Sequence, residues 1–240
     1  MKVLFIDNHL LVVLKPAGQL IQGDITGDLD LISEAKQYLK AKFNKPGNVF
    51  VGLVHRLDRP VSGVVVLART SKAAARLSAQ FRDRTVRKRY VAMVEGRVAE
   101  KFELRHHLLK VGDRTKVVKP GTRGSKEASM VCKPMLVLGH SSLVSIDLET
   151  GRRHQIRRHL AHLHHHILGD TSHGKGRINR DFREAFGLPR LCLHAWRLSI
   201  RHPDRSDDDT RLDVRAPLAD DLRTFFSKLP GMPAGLLAEL

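Results

Sequence analysis

The sequence predicts an α+β fold built on a mixed, mainly antiparallel sheet flanked by helices. Strand-length apolar runs are closed by clusters of Gly, Pro and Asn. They mix with helical stretches without the regular βαβ alternation of a parallel sheet. One run, Val64 to Ala68, is wholly apolar, as a central strand covered on both faces should be.

Taken in order, Val3 to Ile6 and Leu10 to Leu14 flank Asp7-Asn8-His9 and read as a β-hairpin, closed by the breakers Lys15-Pro16-Ala17-Gly18. A helix is predicted from Asp30 to Phe43. Its acids Asp28, Asp30 and Glu34 come early and its Lys36, Lys40 and Lys42 late, as the helix dipole favours. Lys45-Pro46-Gly47-Asn48 stops it. Val49 to Val54 reads as a strand leading into His55-Arg56-Leu57-Asp58. After Val64 to Ala68, Ser71 is the expected N-cap of a helix to Arg82, with Ala74, Leu77 and Phe81 on one face.

Arg87 to Glu95 is a strand containing Tyr90. Met130 to Leu138 and Leu143 to Leu148 form a hairpin around Gly139-His140-Ser141-Ser142. Gly151 leads into a helix from His154 to His164 that buries Ile156, Leu160 and Leu163. Its His154, Arg157 and Arg158 share a different, polar face. Leu191 to Ile200 and Arg211 to Val214 are strands, with Asp207-Asp208-Asp209 as a solvated hairpin tip. Leu218 to Leu229 is a closing helix, and the tail from Pro230 is expected to be loosely held. There is no internal repeat or low-complexity linker, so residues 1–240 are expected to form one domain.

At 42% hydrophobic and 28% charged residues the composition suits a soluble globular protein. No run approaches the length of a membrane span, and the N-terminal apolar stretch is too short for a secretory signal. These features lead to the expectation of a cytoplasmic protein. Lys and Arg outnumber Asp and Glu by 42 to 25, a formal net charge of +17. Such an excess repels itself and calls for a polyanionic partner, nucleic acid first. Cys132 and Cys192 lie far apart in apolar stretches and read as buried free thiols.

No P-loop, paired CxxC, HExxH or GxGxxG motif is present, so the chemistry is expected to need no nucleotide and no metal. His162, His164, His165 and His166 match no zinc spacing and have no acid or Cys nearby; they read as basic, RNA-facing surface.

Asp58 stands out because Arg56, Arg59 and His55 flank it at a strand end. Nearby cations favour an ionised carboxylate, and such an anion, held dry and oriented, can act as a nucleophile. An Asp that merely caps the turn before Pro60 is the alternative reading of the same residues.

His55-Arg56-Leu57-Asp58, followed by Ser62-Gly63 and Val64 to Ala68, resembles the catalytic motif of the RluA-type RNA pseudouridine synthase family. Lys15-Pro16-Ala17-Gly18, Lys88 to Gly96, Thr150 to Arg157, Ile167 to Asp170 and Leu193-His194-Ala195 resemble its other motifs, in the family's order. The second half is similar to the tRNA pseudouridine synthase C type, which modifies uridine 65 in the T-arm stem. The similar segments are Arg158 to Leu163, Gly169-Asp170 with His173-Gly174, Asn179-Arg180, Phe186 to Leu188 and Arg190-Leu191. Lys101 to Ala128 matches no motif. The chain starts directly at the catalytic motifs, so no N-terminal accessory RNA-binding domain is expected.

The resemblance implies that a uridine in RNA, in tRNA or otherwise rRNA, is detached at N1, turned and rejoined through C5. Nothing is consumed, and no cofactor is implied. Asp58 takes the place of the catalytic carboxylate, attacking the base or the ribose carbon. Arg157 takes that of its basic partner, Tyr90 that of the active-site tyrosine, and Leu193 lines the uracil pocket. Arg56 matches the residue that fills the space left by the extruded nucleotide, whose unstacking costs roughly a few kcal/mol. His55, Lys15, Arg152, His154, Arg158 and the loop Gly121-Thr122-Arg123-Gly124-Ser125-Lys126 are candidate RNA contacts. A non-catalytic basic RNA-binding factor is the alternative from another class. A monomer is expected, because no stripe of large hydrophobes asks for a partner.

Overall fold

A computed structural model describes residues 1–23, 28–112, 114–204 and 211–240. Along the chain its strands are β1 (Lys2–Ile6), β2 (Leu10–Lys15), β3 (Gly52–Leu53), β4 (Ser62–Ala68), β5 (Arg87–Glu95), β6 (Phe102–Val111), β7 (Arg114–Val118), β8 (Lys126–Leu138), β9 (Ser141–Leu148), β10 (Leu193–Arg201) and β11 (Arg211–Arg215). The helices are α1 (Leu31–Lys42), α2 (Ser71–Arg82), α3 (Gln155–His162), α4 (Gly176–Phe186), α5 (Asp220–Ser227) and α6 (Ala234–Glu239). The fold is α+β with mostly antiparallel pairing. The expected hairpin tip at Asp207-Asp208-Asp209 lies outside the described residues.

The chain divides into two compact units, each made of two stretches: residues 1–87 with 195–217, and 88–194 with 218–240. In the first unit the strand order is β1-β2-β4-β10-β11, with β3 on the far end of β4. Every residue of β4 is buried, as its apolar sequence demands. Gly63 on β4 has φ +131, and a Cβ there would lie 2.3 Å from the Ala195 carbonyl oxygen, so only glycine admits β10 at this distance. Helix α1 is capped by Asp30, whose carboxylate accepts from Ser33 N at 3.0 Å. The cap of α2 is Thr70 rather than Ser71, because Thr70 is extended and accepts from Ala73 N at 3.1 Å. The strand expected over Val49–Val54 shrinks to the two residues of β3.

Lys15 ends β2 fully buried. Its Nζ donates to the carbonyl oxygens of Pro16 (2.8 Å), Arg59 (3.2 Å) and Val61 (2.9 Å). Val61 N closes the turn on the Asp58 carbonyl at 3.0 Å, and Gly18 N reaches the Arg59 carbonyl at 2.8 Å. The expectation of a phosphate contact at Lys15 is therefore corrected. Its ammonium is enclosed by the main chain it holds, and its work is to fix the turn after Asp58.

The second unit orders its strands β5-β9-β8-β6-β7, all antiparallel. β8 is longer than the hairpin signal at Gly139 indicated, because its first half pairs with β6. Neither β6 nor β7 was anticipated: His106 and Lys110 interrupt the apolar alternation of Phe102, Leu104 and Leu108. Helix α3 packs over this part of the sheet. There His106 meets His159 and His162 edge to face, with ring centroids 5.0 and 4.9 Å apart. His159 is fully buried, and neither ring nitrogen has a hydrogen-bond partner among the described residues. The tail expected to be loose is packed: Leu237 and Leu240 are buried, and Leu218 N donates to the Leu240 carbonyl at 2.6 Å. Both cysteines are buried and unbridged, and burial pushes their thiols up, Cys132 to about 12.

Two predictions follow from these buried groups. Lys15→Met leaves three carbonyls without their donor, and urea unfolding should show a loss of roughly 2–4 kcal/mol; an unchanged midpoint would remove the clamp. Burial, aided by His106 and His162, lowers His159 from 6.5 to about 4. Its neutral form is thus fully accommodated above the unfolded value, and stability is lost as pH falls from about 6.5 towards 4, by up to a few kcal/mol. His159→Leu should flatten this acid limb in thermal scans at pH 7.5 and 5 without loss at the higher pH.

Candidate active site

In the first unit the site candidates gather on the segment between β3 and β4. Asp58 is half-buried on the turn that Lys15 holds, and Arg56, two residues earlier, is exposed. His55 lies between them and β4 with its ring turned inward. Its Nε2 accepts from Val66 N at 3.0 Å, and its face stacks on Phe81 at 4.7 Å. Binding of RNA by His55 is thereby corrected to a packing role, since that bond fixes ring and tautomer. Arg59 is also held, donating to the Gly18 carbonyl at 2.9 Å and to Asp28 at 2.7 Å.

In the second unit the candidates gather at the start of α3. Gln155 anchors this turn to the sheet: its Oε1 accepts from Thr150 Oγ1 (2.7 Å) and Arg152 N (3.0 Å), and its Nε2 donates to the Ser129 carbonyl (3.0 Å). His154 is the N-cap, in the left-handed region at φ 52, with no side-chain capping bond. Arg157 is only 5% exposed, so the polar face on which the sequence places it is turned inward at this residue. The reason is Asp170, which takes Arg157 Nε on one oxygen and Nη2 on the other, both at 2.7 Å. A buried guanidinium needs such a two-toothed partner.

Asp170 is itself held from all sides. Its Oδ1 accepts from Ser172 N and His173 N, each at 2.9 Å. Burial pushes its carboxyl up, but the Arg157 bonds and charge, with the two peptide N–H groups, outweigh that and keep it below the usual range. Asn179 on α4 brackets the backbone, accepting from Gly169 N at 2.8 Å and donating to the Asp170 carbonyl at 3.0 Å. A Cβ on Gly174 would lie 2.2 Å from that same carbonyl oxygen, so the loop closes this tightly only over glycine.

Asp170 and Asn179 were missed as functional groups. One signal was available: Asp170 is the single carboxylate in residues 151–180, amid Arg152, Arg153, Arg157, Arg158, Lys175, Arg177 and Arg180. A lone acid in such a stretch should be the partner of whichever cation is buried.

The remaining candidates also lie in the second unit. Tyr90 is buried on β5 opposite Ile146 of β9, and Leu193 is buried at the start of β10. Arg152 donates from Nε to the Glu127 carbonyl at 3.0 Å. Arg158 is half-buried, its Nε without an acceptor among the described residues. On the loop 121–126, Arg123 and Lys126 are exposed, while Ser125 Oγ donates to the Thr122 carbonyl at 2.7 Å. Among the described residues no group of three or more His, Cys, Asp or Glu is arranged to hold a metal ion. Chemically, the first unit offers a carboxylate on a fixed turn, and the second a buried guanidinium with its orientation set.

Comparison with known proteins gives this chemistry a context. The sequence profile of the family described as RNA pseudouridylate synthase matches residues 9–162. The tRNA pseudouridine synthase C of Yersinia pestis is 36% identical over 215 residues, covering 85% of this chain and 82% of that protein. The protein of the same name from Salmonella typhi is 37% identical over 215 residues, covering 85% and 81%. Among solved structures, human RNA Pseudouridylate Synthase Domain Containing 4 shares the fold with a TM-score of 0.79 at 23% identity, covering 95% of this chain and 92% of that one. With a family profile spanning most of its length and relatives above a third identical, this chain belongs to the RNA pseudouridylate synthases.

Proposed function

We propose that this member of the family isomerises uridine in tRNA, at position 65 in the T-arm stem. The relatives named tRNA pseudouridine synthase C, matched over 85% of the chain, support tRNA over rRNA. The surplus of 17 positive charges suits a folded RNA as substrate. In this reading residues 1–240 act as one catalytic domain, in the cytoplasm, as a single copy and without cofactor.

The observation that carries the assignment of the nucleophile is the turn at Asp58. Its turn is fixed by Lys15, through the carbonyls of Arg59 and Val61, and by the Val61 N bond to its own carbonyl, and the residue itself is half-buried. A carboxylate on a rigid turn can be aimed at an extruded uridine without reorganising when the base arrives. Arg157 serves as the basic residue of the reaction, and Asp170 holds its guanidinium in orientation. Tyr90 stacks on the uracil and helps move the C5 proton, and Leu193 lines the base pocket. Arg56, exposed on the same segment as Asp58, fills the space the uridine leaves.

The reaction balances within the substrate. The N1–C1′ bond breaks, a C5–C1′ bond forms, the proton leaves C5 and N1 gains one. Arg152, His154, Arg158, Arg123 and Lys126 are the proposed phosphate contacts.

Asp58→Asn should abolish pseudouridine at tRNA position 65, read by chemical mapping of total RNA, while tRNA affinity and melting temperature stay near wild type. Persistence of the modification would end Asp58's role, and loss confined to rRNA would reassign the substrate. Filter binding should show roughly a hundredfold or greater loss of affinity between about 50 and 200 mM salt, as several released counterions require. A shallow salt dependence would count against a phosphate-dominated interface.

A further inference from the structure

The loop that carries Asp170 ends on a histidine that none of the roles above employs. His173 is half-buried, and its Nε2 lies 3.2 Å from Nδ1 of His154, the N-cap of α3. We infer that His173 is a positioning residue for Arg157, acting through one hydrogen bond between its imidazole and that of His154. The inference rests on the catalytic part proposed for Arg157.

Three observations carry it. First, His173 is tied to Arg157 by its own backbone: its peptide N–H shares Asp170 Oδ1 with Arg157 Nη2, at 2.9 and 2.7 Å. Side chain and main chain of one residue therefore reach both the start of α3 and the carboxylate that Arg157 leans on.

Second, the loop presenting the ring is rigid. Asn179 brackets it at Gly169 and Asp170, Gly174 seals it, and His166 Nδ1 lies 2.6 Å from the His173 carbonyl oxygen. A rigid support turns a single side-chain bond into a geometric constraint.

Third, the bond is made at the N-cap of α3. That residue sits in the left-handed region, where its side chain makes no capping bond, and Gln155 secures the same turn towards Ser129, Thr150 and Arg152. Arg157 lies three residues past that cap, so a tilt of the first turn moves its guanidinium directly.

Two imidazoles can share a hydrogen bond only if one nitrogen donates and the other accepts. The charged and titratable groups facing His173 are Asp170, Arg157, Arg158 and His154. Burial, opposed by Asp170 and helped by the two arginines and His154, holds the His173 ring down at about 4. It is thus neutral at working pH and keeps a lone pair or an N–H for its neighbour.

The test compares His173→Phe, which keeps the ring but loses the nitrogen, with His173→Gln, whose amide reaches the Nε2 position. On a tRNA transcript with uridine at position 65, His173→Phe should slow single-turnover isomerisation about tenfold or more, with Kd within about twofold of wild type. His173→Gln should recover most of the rate, and His154→Phe combined with His173→Phe should be no slower than the slower single variant. A His173→Phe rate within about twofold of wild type overturns the inference, as does Gln faring no better than Phe, or single effects that multiply in the double variant. Should the wild-type protein form no pseudouridine on this RNA, the functional reading fails and a second measurement decides the positioning claim. The Nε–H resonance of Arg157, assigned by its loss in Arg157→Lys, should exchange slowly with solvent in wild type, faster in His173→Phe and slowly again in His173→Gln. Equal exchange in all three overturns it.

Discussion

A guanidinium buried to 5% exposure is tenable only with a carboxylate matched to it, and the pairing of Arg157 with Asp170 is the constraint on which the second unit's site depends. Removing either partner would leave the other as an uncompensated buried charge, a cost of about 3–5 kcal/mol. The surroundings follow from that need. Peptide N–H groups of Ser172 and His173 share the carboxylate, Asn179 brackets its backbone, and Gly174 lets the loop close. The first unit has a counterpart in Lys15, a buried cation satisfied by carbonyl oxygens instead of a carboxylate. In both units a positive charge taken inside serves geometry.

The elements legible in the sequence were those with local signals. The helix from Asp30 and the apolar strand at Val64 to Ala68 have caps, charge order and periodicity of their own, and both form where expected. The elements that were missed take their identity from neighbours far along the chain. β6 reads poorly because His106 belongs to a cluster with His159 and His162 on α3 rather than to an apolar stripe. Helix α4 did have a signal, Ile178, Phe182 and Phe186 at helical spacing with Phe182 packed against Phe225, but the surrounding charges and Gly174, Gly176 and Gly187 made the stretch read as loop.

The same division runs through the candidate site. The family motifs pointed to Asp58, Tyr90 and Arg157, but no motif distinguishes a lysine that binds RNA from one enclosed by carbonyls. Lys15 and His55 were both read as contacts because their charge and ring are visible in sequence, whereas the groups that occupy them, the carbonyls of Arg59 and Val61 and the N–H of Val66, are main chain. Backbone partners carry no residue-type signature. Asp170 was readable in principle as the lone acid of a cationic stretch, because its partner is a side chain.

The first unit is assembled from two stretches of chain, residues 1–87 and 195–217, with the whole of residues 88–194 between them, and this bears on how the protein is made. During synthesis β1, β2 and β4 emerge long before β10, the strand that completes their sheet. Until then the edge of β4 opposite β2 is covered only at Leu67 and Ala68, by β3, and the rest of this buried strand lacks its neighbour, the kind of edge that can pair with other chains. Gly63, which admits the close approach of Ala195, sits on that waiting edge. The fold thus ties completion of the sheet beside the Asp58 segment to the arrival of residues 195–217, near the end of the polypeptide.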